Sequence, residues 1–352
     1  MKQTIFLIGN PAAGMNALKK INEAAAIIKN RGHDVKVLLT GKRGDAESFA
    51  REIVRKSEVR SQKPKIQDAG YKIQDNHASC IVHHASEDSE LRTPNSELLI
   101  IAAGGDGTYN EVINGIACTD IPMAILPLGT TNVLAKELNM PDNIENALNI
   151  ALRGKTQKVC LGRITLIPVY DPWEVRSLKT AENSNTRHSS LLTRHFLLMA
   201  GIGYDGETVY GIKKGLKKYS GKGAYILSGL KTLMRWAPDK LTFTMNGKSC
   251  EGYSAIICKT SKYGGNFRIA PDADIKRNNL YAFIMHGKNR LDIFRYISGI
   301  ITKRHLKFKD ITYQQIKNME ITGNAHIQID GDYFGMTPAR IEIVPDALRL
   351  VY

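Results

Sequence analysis

The first 141 residues alternate short apolar runs with segments of helical periodicity. Helical patterns cover residues 16–30, begin again at Asp45 and run to residue 56, and follow the third apolar run. Four apolar runs have the length of buried strands: residues 4–8, 35–39, 98–102 and 122–126. Short apolar strands that alternate with helices predict an α/β domain whose parallel sheet is covered on both faces.

From residue 158 onward the pattern changes mostly to strands. Helical patterns are few here, mainly at residues 218–236 and 290–301. Strand patterns are found at residues 158–166, 196–200, 241–245, 253–258, 280–285, 319–323, 325–329 and 340–344. This order predicts an antiparallel β-sandwich domain over residues 142–335.

Two polar stretches interrupt these patterns, at residues 58–97 and 170–194. Neither has a sustained period, and structureless loops of this length are uncommon inside a compact domain, so we predict two surface insertions. The first contains His77, Cys80, His83 and His84, whose spacing matches no common zinc pattern.

Composition narrows the class of protein. A hydrophobic fraction of 43% and a charged fraction of 24% are typical of soluble globular chains, and no apolar run approaches the roughly 20 residues that span a bilayer. Five cysteines without a Cys-x-x-Cys pair favour free thiols in a reducing cytosol. The net charge of +15 favours polyanions, and without a nucleic-acid module pattern we rank nucleic acid below nucleotides and an anionic membrane surface.

A glycine-rich segment, Gly104-Gly105-Asp106-Gly107-Thr108, follows the third predicted strand and precedes a helix. Glycines at such a turn let phosphate oxygens approach the backbone, and the helix N-terminus attracts anions. Asp106 would repel phosphate, so its presence suggests a cation or a ribose hydroxyl beside it. A tight strand–helix turn with an Asp cap is the alternative interpretation.

Three further polar loops follow strands of the predicted sheet, and they contain Asn10, Thr40, and the pair Thr130 and Asn132. The carboxyl ends of parallel strands meet at one edge, so these loops predict a nucleotide cleft. No Walker loop is present, and no Gly-x-Gly-x-x-Gly follows the first strand, which disfavours P-loop NTPases and dinucleotide dehydrogenases.

The segment from Gly104 to Gly115 resembles the signature of the diacylglycerol kinase catalytic-domain family. The resemblance continues over nearly the whole chain apart from the two insertions. It includes Asn10-Pro11-x-x-Gly14, Pro127-Leu128-Gly129-Thr130-x-Asn132-x-x-Ala135, Gly201-Ile202-Gly203-Tyr204-Asp205, Tyr263-Gly264-Gly265, Ala270-Pro271-x-Ala273 and Ile329-Asp330-Gly331-Asp332.

The resemblance implies a first domain similar to NAD kinases and phosphofructokinases, rejoined by residues 336–352, and a β-sandwich. It implies an ATP- and Mg²⁺-dependent transfer of the γ-phosphoryl group to a lipid hydroxyl in the cleft between the domains. The lipid substrate would lie at an anionic membrane, approached from the cytoplasmic face, and a homodimer is one option for the assembly. By motif, nucleotide contacts are expected from Asn10, Thr40, Gly104, Gly105, Asp106, Gly107, Thr108, Tyr109, Asn110, Thr130 and Asn132.

Two departures from the family pattern concern charge. The family's usual Asp-Gly-Glu near the C-terminus is Asp330-Gly331-Asp332 here, so Asp332, Asp330 and also Asp106 are candidate catalytic carboxylates. A β-turn is the other interpretation of Asp-Gly. The family's structural Mg²⁺ site corresponds to Ile275, Asn278 and Leu280 and lacks its carboxylate, so we expect a weak or empty site.

Other features leave alternatives open. Lys213, Lys214, Lys217, Lys218 and Lys222 precede an apolar helix, which suits either an anionic membrane or an ordinary amphipathic surface. Asp205 and Asp274 are predicted to line the lipid cleft or to stabilise a loop.

An NAD kinase and an inactive lipid- or nucleotide-binding regulator remain rival functions, and a glycerol, sphingoid or phospholipid acceptor is equally compatible with the sequence.

Overall fold

The computed structural model describes residues 3–61, 98–168, 192–215 and 222–352. Most of both predicted insertions, including the cluster around His77 and Cys80, lies outside these residues. In the described parts of the chain, no helix is both long enough and apolar enough to cross a membrane.

The first half is an α/β unit built on a parallel sheet. Its strands lie in the order β2-β1-β3-β4 and all pair in parallel: β1 (Thr4–Gly9), β2 (Asp34–Leu39), β3 (Leu98–Gly104) and β4 (Pro122–Pro127). The helices are α1 (Ala17–Asn30), α2 (Asp45–Ser61), α3 (Asp106–Ile116), α4 (Val133–Glu137) and α5 (Ile144–Arg153). Helix α2 runs beyond residue 56, where the sequence pattern ended it.

The second half is an antiparallel β-sandwich, so the predicted fold class is confirmed for both halves. One sheet has the order β14-β13-β10-β7-β16-β17, and the other continues the parallel sheet through β18, β15, β8 and β9, with β5 beside β18 and β6 beside β5. The strands are β5 (Thr156–Leu166), β6 (Thr193–Phe196), β7 (Met199–Ile202), β8 (Leu241–Met245), β9 (Lys248–Gly252), β10 (Ser254–Cys258), β11 (Lys262–Tyr263), β12 (Phe267–Arg268), β13 (Leu280–Met285), β14 (Ile311–Ile316), β15 (Asn318–Thr322), β16 (His326–Ile329), β17 (Asp332–Met336) and β18 (Ala339–Val351).

Strand β18 joins the two halves. It pairs antiparallel with β5 along nearly its whole length and with β15, and near its end Arg349 and Leu350 pair in parallel with β4. The final segment therefore extends the sheet that carries the glycine-rich loop.

Among its described residues, the second half has the α-helices α6 (Tyr204–Gly215), α7 (Lys222–Arg235) and α8 (Arg290–Ile301). Helix α8 agrees with its sequence pattern, whereas α6 was not predicted as a helix. The side chains of Lys213, Lys214, Lys217, Lys218 and Lys222 lie outside the described residues.

The prediction of one strand over residues 196–200 is wrong. The chain leaves the first sheet after Phe196 and enters the other sheet at Met199. Between them, the backbone amides of Leu197 and Leu198 donate to the buried carboxylate of Asp330 instead of to a neighbouring strand. A side chain distant in sequence thus divides one apolar run between two sheets.

Candidate active site

Four loops meet at the carboxyl edge of the parallel sheet. They follow β1, β2, β3 and β4 and contain Asn10, Thr40, Gly105 and Thr130 respectively. The backbone amide of Thr40 donates to Gly9 O and that of Gly129 donates to Gly104 O, at 2.9 and 3.0 Å, so the loops are joined to one another at their bases. This is the edge where parallel sheets bind ligands.

Two of these loops touch through glycines. A Cβ placed on Gly129 would lie 2.7 Å from the Cα of Gly105, and one placed on Gly104 would lie 2.4 Å from Thr108 Oγ1. A side chain at Gly129 would push the two loops apart, and one at Gly104 would collide with Thr108. Because Gly105 and Gly107 carry no side chains, phosphate oxygens can approach the first-turn amides of α3.

The carboxylate of Asp106 holds the fourth loop. Oδ2 accepts the amide of Val133 at 2.9 Å and Oδ1 accepts the amide of Leu134 at 3.0 Å, which are the first two amides of α4. Burial raises the pKa of this carboxyl, although the two amides oppose the shift. Both oxygens thus have protein partners, which gives this carboxylate a structural role at the start of α4, and a catalytic part for Asp106 stays a prediction.

Three of the expected nucleotide contacts lie beneath the glycine-rich loop rather than on its surface. Thr108, Tyr109 and Asn110 are all buried, and the Tyr109 hydroxyl donates to Gly104 O at 2.8 Å. Asn10 approaches Thr108 Oγ1 through its amide nitrogen at 3.4 Å. These side chains therefore fix the shape of the loop that the sequence identified.

The other expected contacts are more accessible. Thr130 is exposed, and Thr40 is half-buried. Asn132 adopts a left-handed backbone conformation with φ of 47° and donates from its side-chain amide to Gly129 O at 2.8 Å. Thr40 and Thr130 are thus the side chains of the expected set that are free to face a bound nucleotide.

Glu111 organises the loop after β2, a role that sequence reasoning missed. Its two carboxylate oxygens accept the amides of Gly44 and Ala46 at 2.9 and 3.2 Å, at the start of α2. Asp45, where the helical pattern begins, instead accepts the amides of Gly41 and Lys42, at 2.8 Å each. The cap comes from another helix because Glu111 lies on α3, directly beside the start of α2, which no local pattern reveals.

Asp330 is buried and saturated with hydrogen bonds. Oδ1 accepts the amides of Leu198 and Met199 at 2.9 Å each, while Oδ2 accepts the amide of Leu197 at 3.0 Å and Asn110 Nδ2 at 2.8 Å. Burial raises the pKa of Asp330 to about 6, and the four donors oppose that shift. The carboxylate joins α3 to β7 and to the segment between β6 and β7.

Asp332 occupies the opposite environment, although only Gly331 separates it from Asp330. Its Oδ1 lies 3.1 Å from Arg43 Nη2, in the loop after β2, and the side chain is 35% exposed. Its Oδ2 would lie 3.6 Å from a Cβ on Gly107. The structure therefore brings this carboxylate against the glycine-rich loop, together with an arginine that sequence reasoning did not single out.

A buried network supports the turn between these aspartates. Gln328 Oε1 accepts the amide of Gly331 at 2.7 Å, and Gln328 Nε2 donates to Asp205 Oδ2 at 2.6 Å. Asp205 also accepts the Tyr263 hydroxyl, and burial raises the pKa of its carboxyl. Asp205 thus stabilises a loop, one of its two predicted roles, while Gln328 had no motif to signal it.

The loop that corresponds to the family's structural metal site, where we expect weak or no binding, is contacted by a buried lysine. Lys259, which is fully buried, donates from Nζ to Asp274 O at 2.6 Å and to Arg277 O at 2.8 Å. Burial lowers the pKa of Lys259 to about 8. Of the predicted ligands, Ile275 O already accepts the Cys160 amide at 3.3 Å, Asn278 is exposed and Leu280 is buried in β13. A buried ammonium group thus lies among the backbone carbonyls of this loop.

A cavity of about 820 Å³ opens in the second half, between α6, α7 and the start of β16. Its wall combines aromatic and polar side chains, among them Tyr210, Trp236, Tyr253 and His326. Met336, at the end of β17, also lines it, while Asp332 lies at the other end of that strand, roughly 13 Å away at the usual rise per residue. The strand therefore leads from the glycine-rich loop to the cavity.

Comparisons with known proteins agree with this architecture. The diacylglycerol kinase catalytic domain model matches residues 56–164, and the YegS C-terminal NAD kinase beta sandwich-like domain model matches residues 200–352. A diacylglycerol kinase of Bacillus subtilis (strain 168) is 27% identical over 283 residues, which cover 78% of this chain and 84% of the relative. One of Staphylococcus aureus (strain JH9) is 25% identical, with 78% and 80% covered.

Solved structures show the same fold. A diacylglycerol kinase from Bacillus anthracis str. Sterne superimposes with a TM-score of 0.58 at 17% identity, covering 100% of this chain and 97% of the other. Another structure from that organism gives a TM-score of 0.65 at 18% identity, covering 100% and 95%. With one family model on each half and diacylglycerol kinases aligned over most of the chain, this chain is a kinase that belongs to the diacylglycerol kinase catalytic-domain family.

Proposed function

We propose that this protein transfers the γ-phosphoryl group of ATP to the hydroxyl of a lipid, at the edge where Asp332 meets the glycine-rich loop. The observation that carries the proposal is the position of Asp332. A partly exposed carboxylate lies beside Gly107 and Arg43, although its own strand belongs to the second half of the molecule. Phosphoryl transfer needs phosphate-holding groups and a carboxylate at the attacking hydroxyl in this proximity.

Each group then has a defined role. The amides at the start of α3 hold phosphate oxygens, and Arg43 supplies positive charge next to them. Asp332 accepts the proton of the lipid hydroxyl. The oxygen of that hydroxyl bonds to the γ-phosphorus, and the bond from that phosphorus to the ADP oxygen breaks. Asp330 takes no part in proton transfer, because each of its oxygens already accepts two hydrogen bonds.

Mg²⁺ bound to the ATP phosphates would neutralise charge during transfer. Within the described residues no three His, Cys, Asp or Glu side chains form a metal cluster. In such a complex Mg²⁺ would take most of its ligands from phosphate and water rather than from a protein cage.

The acceptor is proposed to be a diacylglycerol. Support comes from the curated relatives, which are diacylglycerol kinases, and from the cavity lined by Tyr210, Trp236 and Met336, which offers room for part of an apolar tail. The same strand, β17, borders the cavity and begins at Asp332.

Transfer of labelled phosphate from ATP tests the proposal. The purified chain is given diacylglycerol, a sphingoid base or phosphatidylglycerol in detergent micelles, and NAD in a separate arm. We expect labelled phosphatidic acid from diacylglycerol. Phosphorylated NAD as the only product would support the NAD kinase alternative, and ATP binding without a labelled lipid would support an inactive regulator.

Asp332→Asn is the decisive variant. Because it removes the proton acceptor but keeps the side chain's size, we expect kcat to fall by about a hundredfold or more while ATP affinity is nearly unchanged. Asp142→Asn, at an exposed aspartate outside the four loops, is the matched control and should retain full turnover. Full activity of the Asp332→Asn variant would remove Asp332 from the mechanism.

A further inference from the structure

Helix α8 has two apolar faces. Ile293, Tyr296 and Gly299 are buried and attach the helix to the sandwich. On another side, four large apolar side chains are exposed to solvent. They are Leu291 (80% exposed), Phe294 (61%), Ile297 (38%) and Ile301 (57%). Their spacing of three, three and four residues aligns them in one stripe along the helix.

Basic side chains flank this stripe at both ends. Lys288 precedes the helix and Arg290 is its first residue, while three more follow its end: Lys303, Arg304 and Lys307. All five are exposed. In the part of the chain that the structure describes, none of the five forms an ion pair. Arg295 differs, because it pairs with Asp292 and Asp310. The ends of the helix therefore carry positive charge that no neighbouring carboxylate neutralises.

The stripe also adjoins the cavity. A small groove is lined by residues 236–238, which follow α7, and by residues 288–291, at the start of α8. Residues 236–238 line the large cavity as well. A surface that contacts the stripe would thus lie next to the entrance of the space proposed for the lipid.

We propose that the exposed stripe of α8, with the basic residues at its two ends, docks this protein on an anionic lipid bilayer. An apolar stripe flanked by cations is the arrangement that lies flat in a membrane interface, with apolar side chains among the acyl chains and cations at the headgroups. The net charge of +15 favours the same partner. The proposal identifies the docking surface for the lipid kinase activity proposed above and rests on that activity only for its biological purpose.

Vesicle co-sedimentation without ATP or substrate tests the surface. The wild-type chain should bind vesicles of phosphatidylglycerol and phosphatidylcholine, bind pure phosphatidylcholine weakly, and dissociate as salt increases. The Leu291→Ser/Phe294→Ser double variant should partition about tenfold more weakly, because two exposed apolar side chains no longer enter the bilayer. Lys303→Glu/Arg304→Glu should lose the preference for anionic vesicles.

Leu18→Ser is the matched control, since Leu18 is 45% exposed on α1, in the other half of the molecule. Binding of the double variant equal to wild type would overturn the proposal. So would a wild-type dimer that the double variant converts to monomer without a change in vesicle binding, because the stripe would then join two copies of this chain.

Turnover in detergent micelles separates the two proposals, because it needs no docking on a bilayer. Wild-type turnover in micelles with vesicle binding that the substitutions leave intact would refute the docking surface alone. Vesicle binding that the substitutions abolish, with no labelled lipid from the wild type, would refute the kinase proposal alone.

Discussion

Only Gly331 separates Asp330 from Asp332, but the surroundings of the two carboxylates are different. The first accepts four hydrogen bonds inside the protein, whereas the second is partly exposed and faces Arg43 and Gly107. The Asp-Gly-Asp pattern predicted that a carboxylate would act here but left open which one. The choice depends on which side chain the turn directs to the glycine-rich loop.

We predict that Asp330→Asn destabilises the protein. Asparagine tolerates the φ of 48° at this position, but its NH₂ group must replace either Oδ1 or Oδ2. Each of those oxygens accepts two donors, so two donors lose their acceptor in either orientation. The free energy of unfolding should fall by about 2–4 kcal/mol.

Urea unfolding measures this change, with Asp332→Asn as the control, which should stay within about 1 kcal/mol of wild type. If Asp330→Asn kept wild-type stability but lost turnover, Asp330 rather than Asp332 would be the proton acceptor.

At the scale of elements, the loop between β12 and β13 is organised by a lysine. Lys259 Nζ satisfies two carbonyl groups of this loop, Asp274 O and Arg277 O, from a fully buried position. The absence of a carboxylate at Asn278 already predicted weak Mg²⁺ binding. That an ammonium would satisfy the carbonyls instead could not be predicted, because Lys259 follows a strand whose sequence has no metal-binding pattern.

We predict that Mg²⁺ has no effect on the thermal unfolding of the nucleotide-free chain. Millimolar Mg²⁺ and EDTA should give the same Tm, because the loop has a permanent internal cation. Lys259→Met, by contrast, should lower stability by about 1–3 kcal/mol for each buried carbonyl left without a donor.

Lys248→Met, at an exposed lysine on β9, provides the control and should leave the Tm unchanged. A wild-type Tm that rises with Mg²⁺ in the absence of nucleotide would show that a metal binds the fold after all.

At the scale of the whole molecule, β18 connects the sheet of the α/β half to the sandwich. Leu350 is fully buried in this strand and pairs with Met123 of β4 and Gln157 of β5. One strand therefore contributes to both halves, and its disruption should destabilise each of them.

We predict that Leu350→Ala lowers the free energy of unfolding by about 2–5 kcal/mol and keeps a single transition. Far-UV circular dichroism, which reports the helices and strands of both halves, and tryptophan fluorescence should shift together. Val37→Ala, on the edge strand β2, where the side chain is 38% exposed, should change stability much less. Two separate transitions in the Leu350→Ala variant would show instead that the halves unfold independently.

The sequence by itself determined the fold class, the four loops at the carboxyl edge of the sheet and the family resemblance. Those features depend on local apolar periodicity and on glycine-rich turns, which act over a few residues. It also predicted that a carboxylate near the C-terminus would act with the glycine-rich loop.

Tertiary structure alone decided which residues meet across the chain. It placed Asp332 beside Arg43, gave Asp106 and Glu111 to helix N-termini, and divided the apolar run at Leu197 between two sheets. The physical reason is that a buried donor or acceptor takes whichever partner the packing of remote elements brings within hydrogen-bonding distance. No pattern along the chain records that partner.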